Sequence, residues 1–495
     1  MKVHPMLRLL QISLIAFAVD VRAATVEAPA GTLVTVESGA LRGTLDDGVI
    51  AFRGIPFAAP PVGALRWRAP QPAAQWDNVR DAAEYGHDCM QIPFPSDAAP
   101  LGTPPSEDCL YANVWRPANT HTGLPVLVWI YGGGFVNGGS SPPTYSGAEL
   151  ARQGILFFSF NYRLGRFGTF GHPQLSAVNA DGGELGNFNV MDQIAALRWV
   201  QRNIAAFGGD PSKVTIVGES AGGRSVHALL TSPQTTGLFE RAVIQSGADG
   251  GTVEASATMD SLDALGVDFA RTKGIAADDP QALLKLRALS SEQIVDGLNL
   301  SAIFSALLTK GPPPETLRTM GGMTPDGKVV VDGLAAYRSG AFQHVPIMVG
   351  STSDDLGGET GFMAEGALTF SRLVTKMGIP AYYYRFSYVA RSARTPTTKG
   401  AAHASDIPFF FHTEAVKYGS ATTKQDKAAG KVASAYLVNF VKTGNPNSHG
   451  LPKWRRHEPA TDSMMDFSMD GKAVPGPDPR RHALDAAAAG PAPTR

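Results

Sequence analysis

The amino-acid sequence predicts an α/β architecture, a mostly parallel central sheet flanked by helices and carrying an inserted helical cap. Three observations predict it. Apolar runs rich in β-branched and aromatic residues recur at about 126–130, 155–160, 213–217, 241–245, 345–349 and 382–388, and short runs without alternation suit strands buried on both faces. Between the second and third runs, Ile194, Leu197, Val200 and Ile204 fall at helical spacing within Asp192–Phe207, so strand alternates with helix as a parallel sheet requires. Two of the runs end directly in glycine-rich turns, at 132–134 and 218–222. Ligands of open α/β sheets bind beyond the C-terminal ends of their strands.

The other segments follow in chain order. Lys2 and Arg8 flank the start of an apolar stretch, Leu9–Val19, and Val21-Arg22-Ala23-Ala24 offers small residues for cleavage after Ala23 or Ala24. At ~1.5 Å per residue that stretch falls short of a ~30 Å hydrocarbon layer. Residues 1–24 are therefore expected to be a cleaved signal peptide, in preference to an uncleaved anchor, leaving a periplasmic or secreted chain. Thr32–Phe52 is patterned as a small β-meander, and Ala59–Gln91, rich in proline, tryptophan and arginine, as an ordered surface connection. The stretch at about 253–340 breaks the strand–helix rhythm and is expected to form the cap. Leu262, Leu265 and Phe269 have helical spacing there, as does Ala282–Leu289, before an interruption at Gly311-Pro312-Pro313-Pro314. The Pro- and Ala-rich tail, Pro475–Arg495, is expected to end in disorder.

Composition narrows the function. Lys and Arg number 43 against 44 Asp and Glu, a net charge of −1, and no basic patch interleaved with aromatics points to nucleic acid. The 54 glycines and 36 prolines are spread along the chain, as long ordered loops over a sheet would have them. Cys89 and Cys109 are the only cysteines, 20 residues apart, and in an oxidising compartment they are expected to pair. Two cysteines without clustered histidines cannot complete a four-ligand zinc site, and neither a metal nor an organic cofactor is implied.

The second turn reads Gly218-Glu219-Ser220-Ala221-Gly222, entered from Val214-Thr215-Ile216-Val217 and left by the helix-compatible Gly223–Leu230. A strand that stops, turns sharply and starts a helix lifts the central serine hydroxyl into solvent, and Cβ atoms on the flanking glycines would collide. Ser220 is thus the candidate nucleophile of a serine hydrolase. The first turn, Tyr131-Gly132-Gly133-Gly134-Phe135, follows Pro125–Ile130. Attack on an ester carbonyl creates an oxyanion, and losing one preorganised N–H donor costs ~2.7–4 kcal/mol of barrier. Gly133, Gly134 and Ala221 are the expected donors, with a merely flexible glycine turn as the alternative. A general base must take the serine proton, and the chain has 11 histidines. The chain order Ser, acid, His that accompanies such a turn leaves His227, His344, His403, His412, His449, His457 and His482. His227 lies on the helix that begins at the nucleophile and would point away. His403 sits in a loop after the strand-like Tyr382–Val389, but position alone does not select it.

Further motifs do. Phe52-Arg53-Gly54-Ile55-Pro56-Phe57-Ala58, Leu65-Arg66-Trp67, Glu107-Asp108-Cys109-Leu110-Tyr111 and Gly186-Asn187-Phe188-Asn189 occur in order. They are followed by Asp192-Gln193, Ala196-Leu197-Arg198-Trp199-Val200, Phe207-Gly208-Gly209-Asp210-Pro211, Gln245-Ser246-Gly247 and Thr443-Gly444-Asn445-Pro446-Asn447. With the two turns they make the chain resemble the type-B carboxylesterases, the family of cholinesterases and bacterial para-nitrobenzyl esterases, densely over roughly 33–250 and in islands to about 455. The resemblance implies an α/β-hydrolase domain over residues 25–495 that acts on small-molecule carboxylic esters through a Ser-His-Asp triad and an acyl-enzyme, with a monomer as the default state. It implies that His403, in a Gly-x-x-His-x-x-Asp-Ile-Pro-Phe pattern, is the general base. The acid follows the strand Val345–Val349 in Gly350-Ser351-Thr352-Ser353-Asp354-Asp355; Asp355 stands where the family has its acid, usually glutamate, and Asp354 is the alternative. The acid would accept the Nδ1–H of His403 and stabilise the imidazolium. By the same resemblance Ser246 hydrogen-bonds the acid, Glu219 adds negative field near the pocket, and a Cys89–Cys109 bridge closes a loop at the pocket rim.

Two departures stand out. Only 48 residues separate Asp355 from His403, fewer than the family has, which implies a more open pocket suited to bulky substrates. Arg224, in the first turn after Ser220, stands where relatives carry a small residue. It would pair with a substrate carboxylate or, the favoured reading, with a nearby acid or solvent. Amide hydrolysis, lactone hydrolysis and non-catalytic, cholinesterase-like adhesion are kept beside ester hydrolysis. A lipase would need a sizeable apolar lid, and the Cys89–Cys109 loop offers little beyond Met90, Ile92 and Phe94.

Overall fold

The apolar runs assemble into one sheet. A computed structural model describes residue 1 and residues 31–94, 99–120, 122–248, 257–308 and 312–488; the expected signal peptide and the end of the tail lie outside the described residues. The strands are β1 (Thr44–Asp46), β2 (Val49–Pro56), β3 (Tyr111–Pro117), β4 (Leu124–Ile130), β5 (Leu156–Phe160), β6 (Gly209–Glu219), β7 (Arg241–Gln245), β8 (Ile347–Thr352), β9 (Ala381–Phe386), β10 (Ser463–Phe467) and β11 (Ala473–Pro477). Their spatial order is β11-β10-β9-β8-β7-β6-β4-β5-β3-β2-β1. From β5 through β4 and β6 to β10 every pairing is parallel, and both margins are antiparallel. β4 and β5 are buried along almost their whole length and β6 is buried from Val214 onward, which is why these stretches read as unbroken apolar runs.

Helices α1 (Phe188–Asn203, prolonged by a 3₁₀ turn to Phe207), α2 (Ala221–Thr231), α3 (Phe362–Lys376) and α4 (Lys424–Thr443) cover the sheet. One expectation needs refinement. Thr32–Phe52 is not a single meander: Leu33–Val36 and Gly39–Arg42 join Arg80–Asp81 in a separate three-stranded sheet, whereas β1 and β2 form a hairpin at the edge of the main one. Burial gives the reason, since Leu33–Val36 alternates exposed and buried while β2 is buried nearly throughout. The start of the Pro- and Ala-rich tail is ordered as β11, an outermost strand where prolines cost no ladder hydrogen bond, and then as the helix Arg481–Ala488.

The segment expected to form a cap contains the helices Met259–Thr272, Ala282–Ala288, Ser291–Val295, Leu300–Leu308, Glu315–Arg318 and Gly333–Ser339. Two buried arginines join it to the rest. Arg66 donates to the carbonyls of Leu286, Arg287 and Leu289 while its other nitrogens bind Glu107 at 2.6 Å. Arg166 donates to the carbonyls of Ile294, Val295 and Thr316 and lies 4.4 Å from the Phe269 ring centroid. Cations at the ends of short helices satisfy carbonyls that have no intrahelical partner. Among the described residues no helix is long and apolar enough to cross a membrane.

Cys89 and Cys109 form a disulfide, with Cα atoms 4.9 Å apart. Closing a loop of that length stabilises a folded chain by ~3 kcal/mol in the chain-entropy view. A Cys89→Ser/Cys109→Ser variant is therefore expected to melt at a clearly lower temperature by calorimetry; equal melting of the two proteins would contradict a stabilising bridge.

Candidate functional site

Every candidate group follows the C-terminal end of a parallel strand. Glycines 132–134 follow β4, Ser220 follows β6, Ser246 follows β7, Asp355 lies three residues beyond β8, and the His403 loop follows β9. At the centre, β6 ends at Glu219 and α2 starts at Ala221, so the chain reverses at the single residue Ser220, with φ +56° and ψ −120°. A non-glycine residue in this region costs ~1–3 kcal/mol and persists only where its surroundings hold it. Here the Ser220 N–H donates to the Gln245 carbonyl at 2.9 Å and the Arg224 N–H to the Ser220 carbonyl at 2.9 Å. Side chains are excluded nearby: a Cβ on Gly222 would strike the Ile130 carbonyl, and one on Gly218 the Gly222 carbonyl.

His403 Nε2 lies 2.9 Å from Ser220 Oγ, and Nδ1 lies 2.6 Å from Asp355 Oδ1. The other Asp355 oxygen accepts from Ser246 Oγ at 2.7 Å, Thr352 Oγ1 at 2.8 Å and the Thr352 N–H at 3.0 Å; the Leu356 N–H donates to Oδ1 at 2.7 Å. The Asp354 N–H donates to the Ala401 carbonyl at 2.9 Å and the Ala401 N–H to Ser353 Oγ at 2.9 Å, stitching the acid loop to the histidine loop. Glu219 is buried with an oxygen 3.4 Å from His403 Nε2. His227 is bound on the far side of α2 to the Tyr337 hydroxyl, 2.8 Å away.

The glycine loop packs against the nucleophile. A Cβ on Gly132 would stand 3.0 Å from Ser220 Cβ, and Gly133, Gly134 and Ala221 line the same cavity as Ser220 and His403. Three supports of this loop escaped the sequence reading. Gln91 accepts from the Gly138 N–H at 2.9 Å and donates to the Gly138 carbonyl at 2.6 Å. Asn137 donates to Gln91 and accepts from the Leu300 N–H at 2.8 Å, tying the loop to the helix Leu300–Leu308. Buried Asp88 accepts from the N–H groups of Ser140 and Ser141 and from the Ser141 hydroxyl. The disulfide therefore anchors the strip, Asp88–Gln91, on which the glycine loop is hung. Its residues are neighbours of the loop only in space, so no local pattern announces them.

Electrostatics follow from burial. Burial alone would raise the Asp355 carboxyl, but bonds from His403, Ser246 and Thr352 outweigh it and hold the group below the usual carboxylate range. Burial pulls the His403 imidazole down, while Glu219 and the hydrogen-bonded Asp355 more than offset it and raise the group to about 9. Burial pushes Glu219 up to about 8 and Asp406 up to about 7. Asp406, three residues after His403 and bonded by the Tyr384 hydroxyl at 3.3 Å, is a third acid near the imidazole, which the sequence offers only as part of a motif. The cavity over Ser220 has a volume of about 690 Å³, and its lining includes Leu300, Phe304 and Phe362 as well as Arg224 and Lys417. Among the described residues no cluster of His, Cys, Asp or Glu could hold a metal ion.

A model of the carboxylesterase family matches residues 30–363 and 358–477 of this chain. The para-nitrobenzyl esterase of Bacillus subtilis (strain 168) is 34% identical over 492 residues, covering 88% of this chain and 94% of that protein. The fumonisin B1 esterase of Sphingopyxis macrogoltabida is 33% identical over 471 residues, covering 85% and 84%. A solved PNB esterase superposes with a TM-score of 0.78 at 28% identity, over 92% of this chain and 99% of that one. The sheet and helices described above are accordingly those of an α/β-hydrolase.

Since carboxylates raise His403, its proton is retained to a higher pH than in an isolated imidazole. Titration of the His403 ring by NMR is expected to show a midpoint above 6.5, and Glu219→Gln, which deletes one of those charges, is expected to lower it. A midpoint at or below 6.5 would contradict this account of the field at the site.

Proposed function

This chain belongs to the carboxylesterase family and is a serine hydrolase of carboxylic esters; on that footing we propose that it works through an acyl-enzyme on Ser220, with His403 as general base and acid and Asp355 as its partner. What supports the reading most is the unbroken chain of hydrogen-bond distances, 2.6 Å from Asp355 to His403 and 2.9 Å from His403 to Ser220. Neutral His403 Nε2 accepts the Ser220 proton as Oγ attacks the acyl carbon. The carbonyl oxygen becomes an oxyanion, held by the N–H groups of Gly133, Gly134 and Ala221. Asp355, fixed by Ser246 and Thr352, keeps Nδ1 protonated and stabilises the imidazolium. The imidazolium then protonates the departing alkoxide, the acyl–oxygen bond breaks, and water repeats the sequence on the acyl-enzyme. An aspartate suffices here, since its Oδ1 reaches His403 Nδ1 at 2.6 Å. We further propose a periplasmic or secreted location, which the Cys89–Cys109 disulfide supports.

Hydrolysis of para-nitrophenyl butyrate by Ser220→Ala is expected to fall by about 10⁴-fold or more in kcat, and by Asp355→Asn on the order of 10³–10⁴-fold. Asp354→Asn should stay within about twofold of the parent, as substitutions away from such machinery do. A Ser220→Ala protein retaining most of its turnover would overturn the proposal. The base must be neutral to act, so kcat/KM is expected to rise with pH through the His403 titration and to be lost in acid. A profile flat from pH 5 to 9 would contradict His403 in that role.

A further inference from the structure

We propose that Asn137 is a positioning residue for the oxyanion donors, its side chain pinning the backbone that aims the Gly134 N–H; this rests on the catalytic reading above and adds a residue to it. The loop after β4 is strained where the donors sit. Gly133, Gly134 and Phe135 follow one another at φ +107°, +62° and +61°. A phenylalanine in the left-handed region persists only where its surroundings hold it. The Gly133 carbonyl and the Gly134 N–H belong to one planar peptide, so whatever holds the carbonyl sets the direction of the N–H. That carbonyl accepts from the Val136 N–H at 3.1 Å and the Asn137 N–H at 2.9 Å. The fit is close, since a Cβ on Gly133 would stand 2.1 Å from the Asn137 carbonyl oxygen.

The side chain of Asn137 holds that backbone in place. It is buried, and Nδ2 donates to Gln91 Oε1 at 3.1 Å and to the Ile92 carbonyl at 2.9 Å, while Oδ1 accepts from the Leu300 N–H at 2.8 Å. Two of these partners belong to the strip beside Cys89, and the third begins the helix Leu300–Leu308. One planar amide supplies two donors and an acceptor, whereas an aspartate would lose the donors and an alanine all three bonds. Gln91 extends the hold to the other donor. It bonds both the N–H and the carbonyl of Gly138, where a Cβ would stand 2.6 Å from the Gly132 carbonyl oxygen, and that oxygen shares a peptide with the Gly133 N–H. Donors must lie ~2.7–3.1 Å from the oxyanion itself, and a misplacement of about 1 Å can cost on the order of 10²-fold in rate. The ground-state ester makes less of those bonds, so a loosened loop lowers kcat more than it weakens binding.

The test is Asn137→Ala, for which kcat on para-nitrophenyl butyrate is expected to fall by on the order of 10–100-fold while KM stays within about threefold. Affinity for an aryl trifluoromethyl ketone should fall by the same factor. Ser220 Oγ adds to the carbonyl carbon of that ketone, the carbonyl electron pair passes to its oxygen, and the serine proton passes to His403, so the adduct carries the oxyanion. The NMR midpoint of His403 is expected to match the parent's, because the triad is untouched. Gln91→Met, which loses the bonds to Gly138, is expected to show the same signature and carries the test should Asn137→Ala fail to fold. A folded variant with kcat within about twofold of the parent, a rise in KM with kcat kept, or a displaced His403 midpoint overturns the inference and leaves ester hydrolysis intact. Failure of the catalytic reading shows separately, as turnover persisting in Ser220→Ala.

Discussion

The reversal of the chain at Ser220 is the constraint to which the rest of the site is fitted. A strand in the middle of the sheet gives way to a helix at one residue, and the backbone accepts a strained conformation there because β7 and α2 both bond to it. The reversal demands bare backbone at Gly218 and Gly222, which in turn lets β4 and the glycine loop close to contact distance. It aims one hydroxyl at the point where the loops after β4, β8 and β9 converge. The strain is localised, and the surrounding parallel sheet, buried on both faces, bears it.

Around that point the protein sets carboxylates to different tasks by environment alone. Asp355 is ionised because hydroxyls and N–H groups surround it, whereas Glu219 and Asp406, equally buried but poorly bonded, are pushed toward their neutral forms. The imidazole sits among all three, so its proton affinity belongs to the cluster and not to one pair. Arg224 and Lys417 line the same, largely apolar cavity.

The parts legible in the sequence were those carried by local pattern. Strands β4, β5, β6 and β7 showed as apolar runs because helices cover both faces, and the two turns showed because only glycine fits them. β3 escaped because buried Asn113 and Arg116 interrupt its run; both are satisfied by distant partners, Asn113 by Ser140 and Ser159 and Arg116 by the Gly31 carbonyl. The same holds for the site. Ser220 and His403 lie in motifs that resemble a family, but Asp354 and Asp355 are neighbours of one type, and what separates them is which carboxyl meets Ser246 and Thr352. Gln91, Asn137 and Asp88 act across dozens of residues of chain, and only the folded loop brings them to the glycines.

The most direct measurement of the central claim is the mass of the protein within the first turnover. Mixed rapidly with a para-nitrophenyl ester and quenched in acid, the enzyme should gain the mass of one acyl group, and peptide mapping should place it on Ser220. An acyl group found on another residue, or a full turnover with no covalent adduct at any time, would contradict the account.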